Sequence, residues 1–197
     1  GTSNEWIVER TGIKERRISG FYDNVATMGA MAGLKALEDA EKSVEDINYL
    51  VVGTNTPPYL FPSVAAQIQY LLDIKEAGAY DIQAGCSATI FAMKTAEDFL
   101  LAEYLKNPKG RKTALVIGTD ALSTFTDYQD RNNCVLFGDG ASAIVMGMGN
   151  GSLILSSHAV TKGEFGELIS LNSGLESQVV GENPLNFRSE REVNKDY

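Results

Sequence analysis

One cysteine of this chain has the surroundings of a nucleophile. Cys86 follows a predicted strand, Gly78–Ile82, and precedes an apolar helix predicted to reach about Lys106. The amino end of a helix carries partial positive charge, which stabilises a thiolate over a thiol, and thiolates attack acyl groups. Gly85 permits a sharp strand-to-helix corner. The pattern therefore predicts covalent chemistry at the carboxyl end of a strand, where open α/β sheets bind ligands.

A structural role for Cys86 is the alternative, because free cysteines are often buried and inert. A catalytic thiol usually has a histidine partner, but the sequence does not show one that would decide between a nucleophilic and a structural Cys86. The one histidine, His158, is predicted to lie on the surface or in a loop, with no catalytic residue near it in sequence. Cys134 precedes an apolar run, is predicted to be a small apolar residue in a strand, and is assigned no chemistry. Two cysteines and one histidine cannot supply the ligand spacings of a zinc site, so no metal is expected.

Three further residues could together bind a nucleotide. Trp6 could stack on a base, and the guanidinium groups of Arg10 and Arg131 could stack or pair with phosphate. Sequence spacing does not show whether Arg131 comes near Trp6. The segment Gly138–Gly140 lacks the lysine and hydroxyl residues of a phosphate-binding loop, and we interpret it as a tight turn between two strands.

Composition narrows the function classes. The 197 residues carry a net charge of −9, which does not suggest nucleic acid as a partner. No apolar run of about 18 residues exists, so no membrane span is expected. The first residues lack the pattern of a signal peptide, and the two cysteines lie in different settings. A reducing compartment, the cytoplasm, is therefore the predicted location.

Strands and helices alternate along the chain, which predicts an α/β fold with a mixed, mostly parallel sheet and helices on both faces. A helix capped by Asp23 or Asn24 should bury the face that carries Val25, Met28, Ala32, Ala36 and Ala40. A first predicted helix is capped by Thr2 or Ser3 and ends near Arg10, another is capped by Ser63 and ends at about Leu72, and a third follows Cys86. The predicted strands are Ile47–Thr54, Gly78–Ile82, Thr113–Gly118, an antiparallel pair at Val135–Phe137 and Ala143–Met146, and Ser152–Ser157.

Several of these segments together resemble the β-ketoacyl-[acyl-carrier-protein] synthase III family. The resemblance follows family order and runs almost from end to end of the chain. It is carried by Glu5–Arg16, Phe61–Gln69, Tyr80–Met93, Asp130–Arg131 with Leu136–Ala141, and Gly166–Leu168.

The resemblance implies a thiolase-like fold, of which this chain would supply one of two similar halves. Residues 1–182 would form the amino-terminal half-domain, and residues 183–197 would begin the connection to a carboxyl-terminal half. In the family that second half carries the catalytic histidine and asparagine, which would explain why Cys86 has no evident partner here.

Site residues follow from the same resemblance. Cys86 would be acylated by an acyl-CoA and would then condense with malonyl-acyl-carrier protein. The matches of Trp6 and Arg131 sandwich the CoA adenine, and those of Thr2 and Arg10 contact its nucleotide. The match of Phe61 closes the acyl tunnel of the neighbouring subunit of a homodimer, and Phe137 would line that tunnel. No cofactor is implied, because coenzyme A enters as the thioester substrate.

Two other functions stay open at this stage. A related condensing enzyme, such as hydroxymethylglutaryl-CoA synthase or a long-chain acyl condensing enzyme, would keep the fold and Cys86 but change the reaction. A half-fold that binds CoA or a partner chain without turnover would not be an enzyme. The chain alone, without the family's histidine and asparagine, is expected to fail in condensation.

Overall fold

The chain divides into two units in the computed structural model, Gly1–Ile154 and Leu155–Tyr197. The structure describes residues 2–110, 112–149, 154–166 and 168. In the second unit the described residues contain one 3₁₀ turn, Gly163–Phe165. The predicted connection at 183–197 lies outside the described residues, so the proposed boundary at residue 182 stays a prediction.

A four-stranded sheet forms the centre of the first unit. Its strands are β1 (Ile47–Gly53), β2 (Gly78–Ile82), β3 (Thr113–Ala121) and β4 (Asp139–Gly147), in the spatial order β2-β1-β3-β4. Strand β1 pairs in parallel with β2 and β3, and β4 runs antiparallel to β3 at one edge. The sheet is therefore mixed and mostly parallel, as the sequence predicts.

Helices cover both faces of this sheet. The helices are α1 (Asn4–Thr11), α2 (Val25–Asp39), α3 (Val64–Leu71) and α4 (Ala88–Lys106). Leu50 and Val52 of β1 pack in one buried cluster with α2 and α3, while Val51 packs in a second cluster with α4. Alternate residues of a strand point to opposite faces, so the central strands are apolar throughout because both faces are covered.

The buried face of α2 agrees with the predicted one only in part: Val25 is buried as predicted, and Met28 and Ala36 pack against the core. Met28, Ala32 and Ala36 are half-buried and Ala40 is exposed, whereas Gly29 and Gly33 are buried. A Cβ atom on Gly29 would lie 2.6 Å from Ile68 Cδ1, so this glycine lets α2 approach the sheet and α3 closely. The same buried face carries Ala26, Ala30 and Leu37 at helical spacing, and the two glycines make its closest approaches.

Two predicted strands are wrong. Val135–Phe137 lies in a series of turns and an irregular stretch, and Gly140 belongs to β4 rather than to a turn between strands. Ile154–Ser157 forms no strand, while Ser152 and Leu153 lie outside the described residues. An antiparallel pair does occur late in the chain, but β4 pairs with β3 and not with Val135–Phe137.

Helix starts follow the predicted capping residues. The Ser3 side chain accepts from Trp6 N, Asn24 accepts from Ala26 N and Thr27 N, and Ser63 accepts from Ala66 N. Gly12 ends α1 at φ 72°, a conformation that favours glycine. No helix in the described part of the chain is long and apolar enough to cross a membrane.

Candidate active site

Cys86 lies at a tight corner between β2 and α4. Gly85 adopts φ +55°, a left-handed backbone conformation that residues with a side chain rarely adopt. The turn is closed by Ser87 N, which donates to Ala84 O at 3.2 Å, and by Ala88 N, which donates to Gly85 O at 3.1 Å. Cys86 is exposed and is a free thiol. The packing alternative is therefore wrong for the described structure, because this cysteine is not buried.

Two glycines bring the start of α4 onto the sheet. A Cβ atom on Gly53, at the end of β1, would lie 2.7 Å from both Ala88 C and Thr89 N. A Cβ atom on Gly118 of β3 would collide with Thr89 Oγ1. The first turn of α4 therefore rests on the carboxyl ends of β1 and β3, and the backbone next to Cys86 has no room to shift toward the sheet.

The positive end of α4 is not neutralised locally. The helix has 19 residues, its first turn contains no acidic residue, and the Ser87 side chain makes no capping hydrogen bond. Free N–H groups at a helix start attract negative charge. Cys86 lies two residues before this start, where a developing oxyanion could be stabilised. Ile90 and Leu105, on the outer face of the apolar helix predicted after Cys86, are 66% and 72% exposed.

A carboxylate behind the corner connects it to the ends of β1 and β3. Asp120 Oδ1 accepts from Asn55 N at 2.7 Å, from Thr56 Oγ1 at 3.1 Å and from Thr54 Oγ1 at 3.2 Å. The Asn55 amide then donates to Asp120 Oδ2 at 3.2 Å and to Gly85 O at 3.1 Å. Asn55 therefore links the Asp120 carboxylate directly to the residue before Cys86.

Sequence reasoning missed this network. Asn55 and Asp120 each lie at or just beyond the end of an apolar strand, and β1 and β3 are parallel neighbours. Polar residues at the carboxyl ends of adjacent parallel strands lie close together. That shared position is the signal that could have indicated the pair.

Trp6, Arg10 and Arg131 form one cluster, which we call the tryptophan cluster. The Cζ atoms of Arg10 and Arg131 lie 4.5 Å and 4.8 Å from the centroid of the Trp6 ring. Both distances are within the range of cation–π attraction. Trp6 and Arg131 therefore lie side by side in the fold although they are near opposite ends of the first unit in sequence, which spacing alone does not show. Both arginines are exposed and the indole is half-buried, so the cluster faces solvent.

Asp139 fastens the segment after α1 to the sheet. Its carboxylate accepts from the N–H and hydroxyl of Ser19, both at 2.8 Å, and from those of Ser123 at 2.9 and 2.7 Å. Asp139 N donates to Arg17 O at 2.7 Å. Burial by itself would raise the pKa of Asp139, but the hydrogen bonds from Ser19 and Ser123 outweigh it and lower the pKa. This carboxylate therefore anchors the segment that carries α1, and with it Trp6.

Among the described residues, no hydrogen bond joins the remaining predicted site residues to Cys86. Thr2 is exposed ahead of α1, Phe61 is 83% exposed, and Phe137 is half-buried just before β4. Cys134 is half-buried in a turn, not in a strand, and its N–H donates to Asp130 O. His158 belongs to the second unit. Among the described residues no group of acidic, cysteine or histidine side chains could hold a metal ion.

A cavity of about 310 Å³ opens beside the first turn of α4. Neither Phe61 nor Phe137 lines it, so it does not coincide with the predicted acyl tunnel. It is lined by Thr89, Gly118, Thr119, Asp120, Gly138, Gly140, Ala141 and Ser142.

Comparison with known proteins identifies relatives that share this site region. The family profile of 3-oxoacyl-[acyl-carrier-protein] synthase III matches residues 80–163, which include Cys86 and Arg131. The β-ketoacyl-[acyl-carrier-protein] synthase III of Aliivibrio fischeri is 44% identical over 170 residues, which are 86% of this chain and 52% of the relative. The enzyme of that name from Syntrophomonas wolfei is 46% identical over 175 residues, 88% of this chain and 51% of the relative.

A solved structure supports the same relationship at the level of the fold. The crystal structure of 3-oxoacyl-[acyl-carrier-protein] synthase III from Aquifex aeolicus superposes with a TM-score of 0.63 at 42% identity. The match covers 73% of this chain and 44% of that one. The chain therefore spans about half the length of the curated relatives it matches, and its fold is thiolase-like. By sequence and by fold, it is a homologue of the amino-terminal half of the β-ketoacyl-[acyl-carrier-protein] synthase III family.

Proposed function

We propose that this chain carries the acyl-loading site of a β-ketoacyl-[acyl-carrier-protein] synthase III. The observation that carries the proposal is the position of Cys86, an exposed free thiol at the uncapped amino end of α4. The homologous enzymes named above are synthases of this class. Because about half of each relative has no counterpart in this chain, the full condensation is proposed for the whole enzyme and not for these 197 residues alone.

In the first half-reaction the Cys86 thiolate attacks the carbonyl carbon of an acyl-CoA thioester. A new C–S bond forms and the carbonyl π electrons move to oxygen, where backbone N–H groups including that of Cys86 stabilise the negative charge. The electron pair returns, the bond to the CoA sulfur breaks, and CoA leaves as a thiolate. That thiolate takes up a proton, which balances the one lost by Cys86, and an acyl-enzyme remains.

In the second half-reaction malonyl-acyl-carrier protein reaches the acyl-enzyme. Loss of CO₂ leaves an electron pair on the malonyl carbon, which attacks the acyl carbonyl and releases the Cys86 thiolate. The resemblance implies that the histidine and asparagine that would stabilise this carbanion belong to the second half of the enzyme. The 197-residue chain should therefore load acyl groups without forming the β-ketoacyl product.

The tryptophan cluster supports the proposed recognition of CoA. An adenine ring could stack on Trp6, while Arg10 and Arg131 offer guanidinium groups for stacking or for phosphate. Thr2 lies ahead of the same helix, within the segment expected to contact the nucleotide. We keep these four residues as proposed CoA ligands.

Exposed apolar residues support the proposed assembly. Phe61 is 83% exposed, which suits a side chain that enters the acyl tunnel of a second subunit, and Phe137 is kept as a tunnel residue. The exposed outer face of α4, including Ile90 and Leu105, suits burial by the second half of the enzyme. Both cysteines are free thiols, which suits a reducing compartment, and we propose the cytoplasm.

Transfer of label from radioactive acetyl-CoA tests the loading step. The wild-type chain and Cys134→Ser should retain protein-bound label after precipitation, and Cys86→Ser should lose it. Cys134 is the matched control because it is the other free thiol and is half-buried in a turn. Equal labelling of Cys86→Ser and Cys134→Ser would contradict the proposal.

A further inference from the structure

The carbonyl of the Gly85–Cys86 peptide bond accepts two hydrogen bonds, and one of them comes from a side chain outside its own turn. The Gly85 carbonyl accepts from Ala88 N within its own turn and from Asn55 Nδ2, which comes from beyond the end of β1. A peptide unit is planar and trans, so its C=O and N–H point in opposite directions. Whatever fixes the direction of the Gly85 carbonyl therefore also fixes the direction of the Cys86 N–H.

Asn55 is itself held in place. One hydrogen of its amide goes to Gly85 O and the other to Asp120 Oδ2, so both donors of the side chain are used. Its backbone N–H donates to Asp120 Oδ1 at 2.7 Å. Asp120 is held in turn by the hydroxyls of Thr54 and Thr56, which are 2% and 6% exposed.

We propose that Asn55 and Asp120 form a positioning pair that aims the Cys86 N–H at the oxyanion formed during acyl transfer. Asp120 fixes the Asn55 amide, Asn55 fixes the Gly85 carbonyl, and the planar peptide fixes the Cys86 N–H. Neither side chain touches the reacting atoms, so both act through the backbone. The inference rests on the proposed acyl transfer to Cys86 and adds the residues that set its geometry.

A positioning role for Asn55 predicts different effects on acylation and alkylation of Cys86, whereas a purely structural role predicts the same effect on both. Acyl transfer builds negative charge on oxygen, so its rate depends on the aim of the N–H donor. Alkylation of the same thiolate by iodoacetamide forms a C–S bond and expels iodide without an oxyanion. Loss of the Asn55 amide should therefore slow acylation while alkylation of Cys86 stays nearly unchanged.

The experiment uses the 197-residue chain and p-nitrophenyl acetate, which acylates a thiolate and releases p-nitrophenolate without needing a CoA site. Asn55→Ala should lower the rate constant for acetylation of Cys86 about tenfold, because a displaced oxyanion donor loses much of its effect. Its rate constant with iodoacetamide should change by less than about twofold, since no oxyanion forms. Asp120→Asn should shift the acetylation rate in the same direction by a smaller factor. Asn55→Ser provides a second test if the alanine variant folds poorly.

Thr119→Val is the matched control. Thr119 precedes Asp120 in β3, and its hydroxyl donates to Val25 O at 2.9 Å in a buried site with no link to Gly85. This variant loses one hydrogen bond from the same end of β3 and should keep wild-type rates with both reagents. The melting temperature of each variant separates a loss of folded protein from a change in the site.

Several outcomes would overturn the inference. One is acetylation of Asn55→Ala at the wild-type rate, and another is an equal fall in its acetylation and alkylation rate constants. A third is a fall in the acetylation rate constant of Thr119→Val as large as that of Asn55→Ala. The last is a wild-type Cys86 that p-nitrophenyl acetate does not acetylate. A wild-type chain that reacts with the ester but not with acetyl-CoA would refute the proposed function alone. In that case the ester rates still decide whether Asn55 positions the peptide.

Discussion

The corner that holds Cys86 and the tryptophan cluster are built in opposite ways. At the corner, the backbone of Gly53 lies against the backbone of the first turn of α4. The Asp120 carboxylate near the end of β3 accepts from the Asn55 amide, which also donates to the Gly85 carbonyl. In the tryptophan cluster, two exposed arginines lie over one half-buried ring from distant parts of the chain. Under the proposed function, acyl transfer would therefore take place in a rigid backbone frame, while the nucleotide would be bound by side chains that are free to move.

The tryptophan cluster would have to open to admit adenine between Trp6 and Arg131. Arg131 Cζ lies 4.8 Å from the Trp6 centroid. Stacked groups need about 3.5–4.0 Å per layer, so an inserted adenine requires about 7 Å between the indole and the guanidinium. Arg131 must therefore move outward by about 2 Å if adenine is to lie between them, as its exposed position allows.

The largest effect should come from crowding the corner. Gly53→Ala places a Cβ atom 2.7 Å from two backbone atoms of α4, which cannot rotate away as a side chain could. We expect a loss of about 3 kcal/mol in the free energy of unfolding, typical of an overpacked core. Gly140→Ala is the control, since a Cβ there meets nothing within 4 Å. Urea unfolding should separate the two variants, and equal midpoints would show that the corner is not fixed by this contact.

An intermediate effect should follow from releasing the anchor of the tryptophan cluster. Asp139→Ala removes the acceptor of four hydrogen bonds from Ser19 and Ser123, and should cost about 2 kcal/mol of stability. The folded state lowers the pKa of Asp139, so its contribution is present above the unfolded pKa and is lost as the pH falls through the folded pKa. Stability of the wild-type chain should therefore decline below about pH 4, and Asp139→Asn should decline less steeply over that range. Identical pH profiles of unfolding would contradict this role of the carboxylate.

The smallest effect should come from the cluster itself. Arg131→Ala removes one cation–π contact with Trp6 and should weaken CoA binding about threefold to tenfold, with little change in stability. Trp6 is the chain's only tryptophan, so its fluorescence reports binding directly. Arg17→Ala is the matched control, because Arg17 is an exposed arginine that pairs with Glu15. A CoA affinity unchanged in Arg131→Ala, or equally weakened in Arg17→Ala, would remove the cluster from the proposed CoA site.

Much of the fold follows from local sequence. The continuous apolar centre of β1 indicates a sheet covered on both faces, and Ser3, Asn24 and Ser63 cap helices where their types and places predict. The corner before α4 is indicated by Gly85 in the same way. These features depend on residues that are neighbours in the chain.

The rest depends on contacts that local patterns do not encode. Arg131 meets Trp6 only because α1 and the turns before β4 come together in the folded chain. Val135–Phe137 has apolar residues typical of a strand, yet no strand among the described residues pairs with its backbone, and it lies in turns and irregular chain. The inward glycines of α2 and the bond from Asn55 to Gly85 likewise arise from packing.

The most direct test of the central claim is to map the acetyl group after the wild-type chain is incubated with acetyl-CoA. Proteolysis at mildly acidic pH, which preserves the thioester, followed by mass spectrometry should find one acetyl group, on the peptide that contains Cys86. Treatment with hydroxylamine should remove it, as expected for a thioester. An acetyl group found on Cys134 instead, or no acetylated cysteine at all, would show that Cys86 is not the acyl-loading residue.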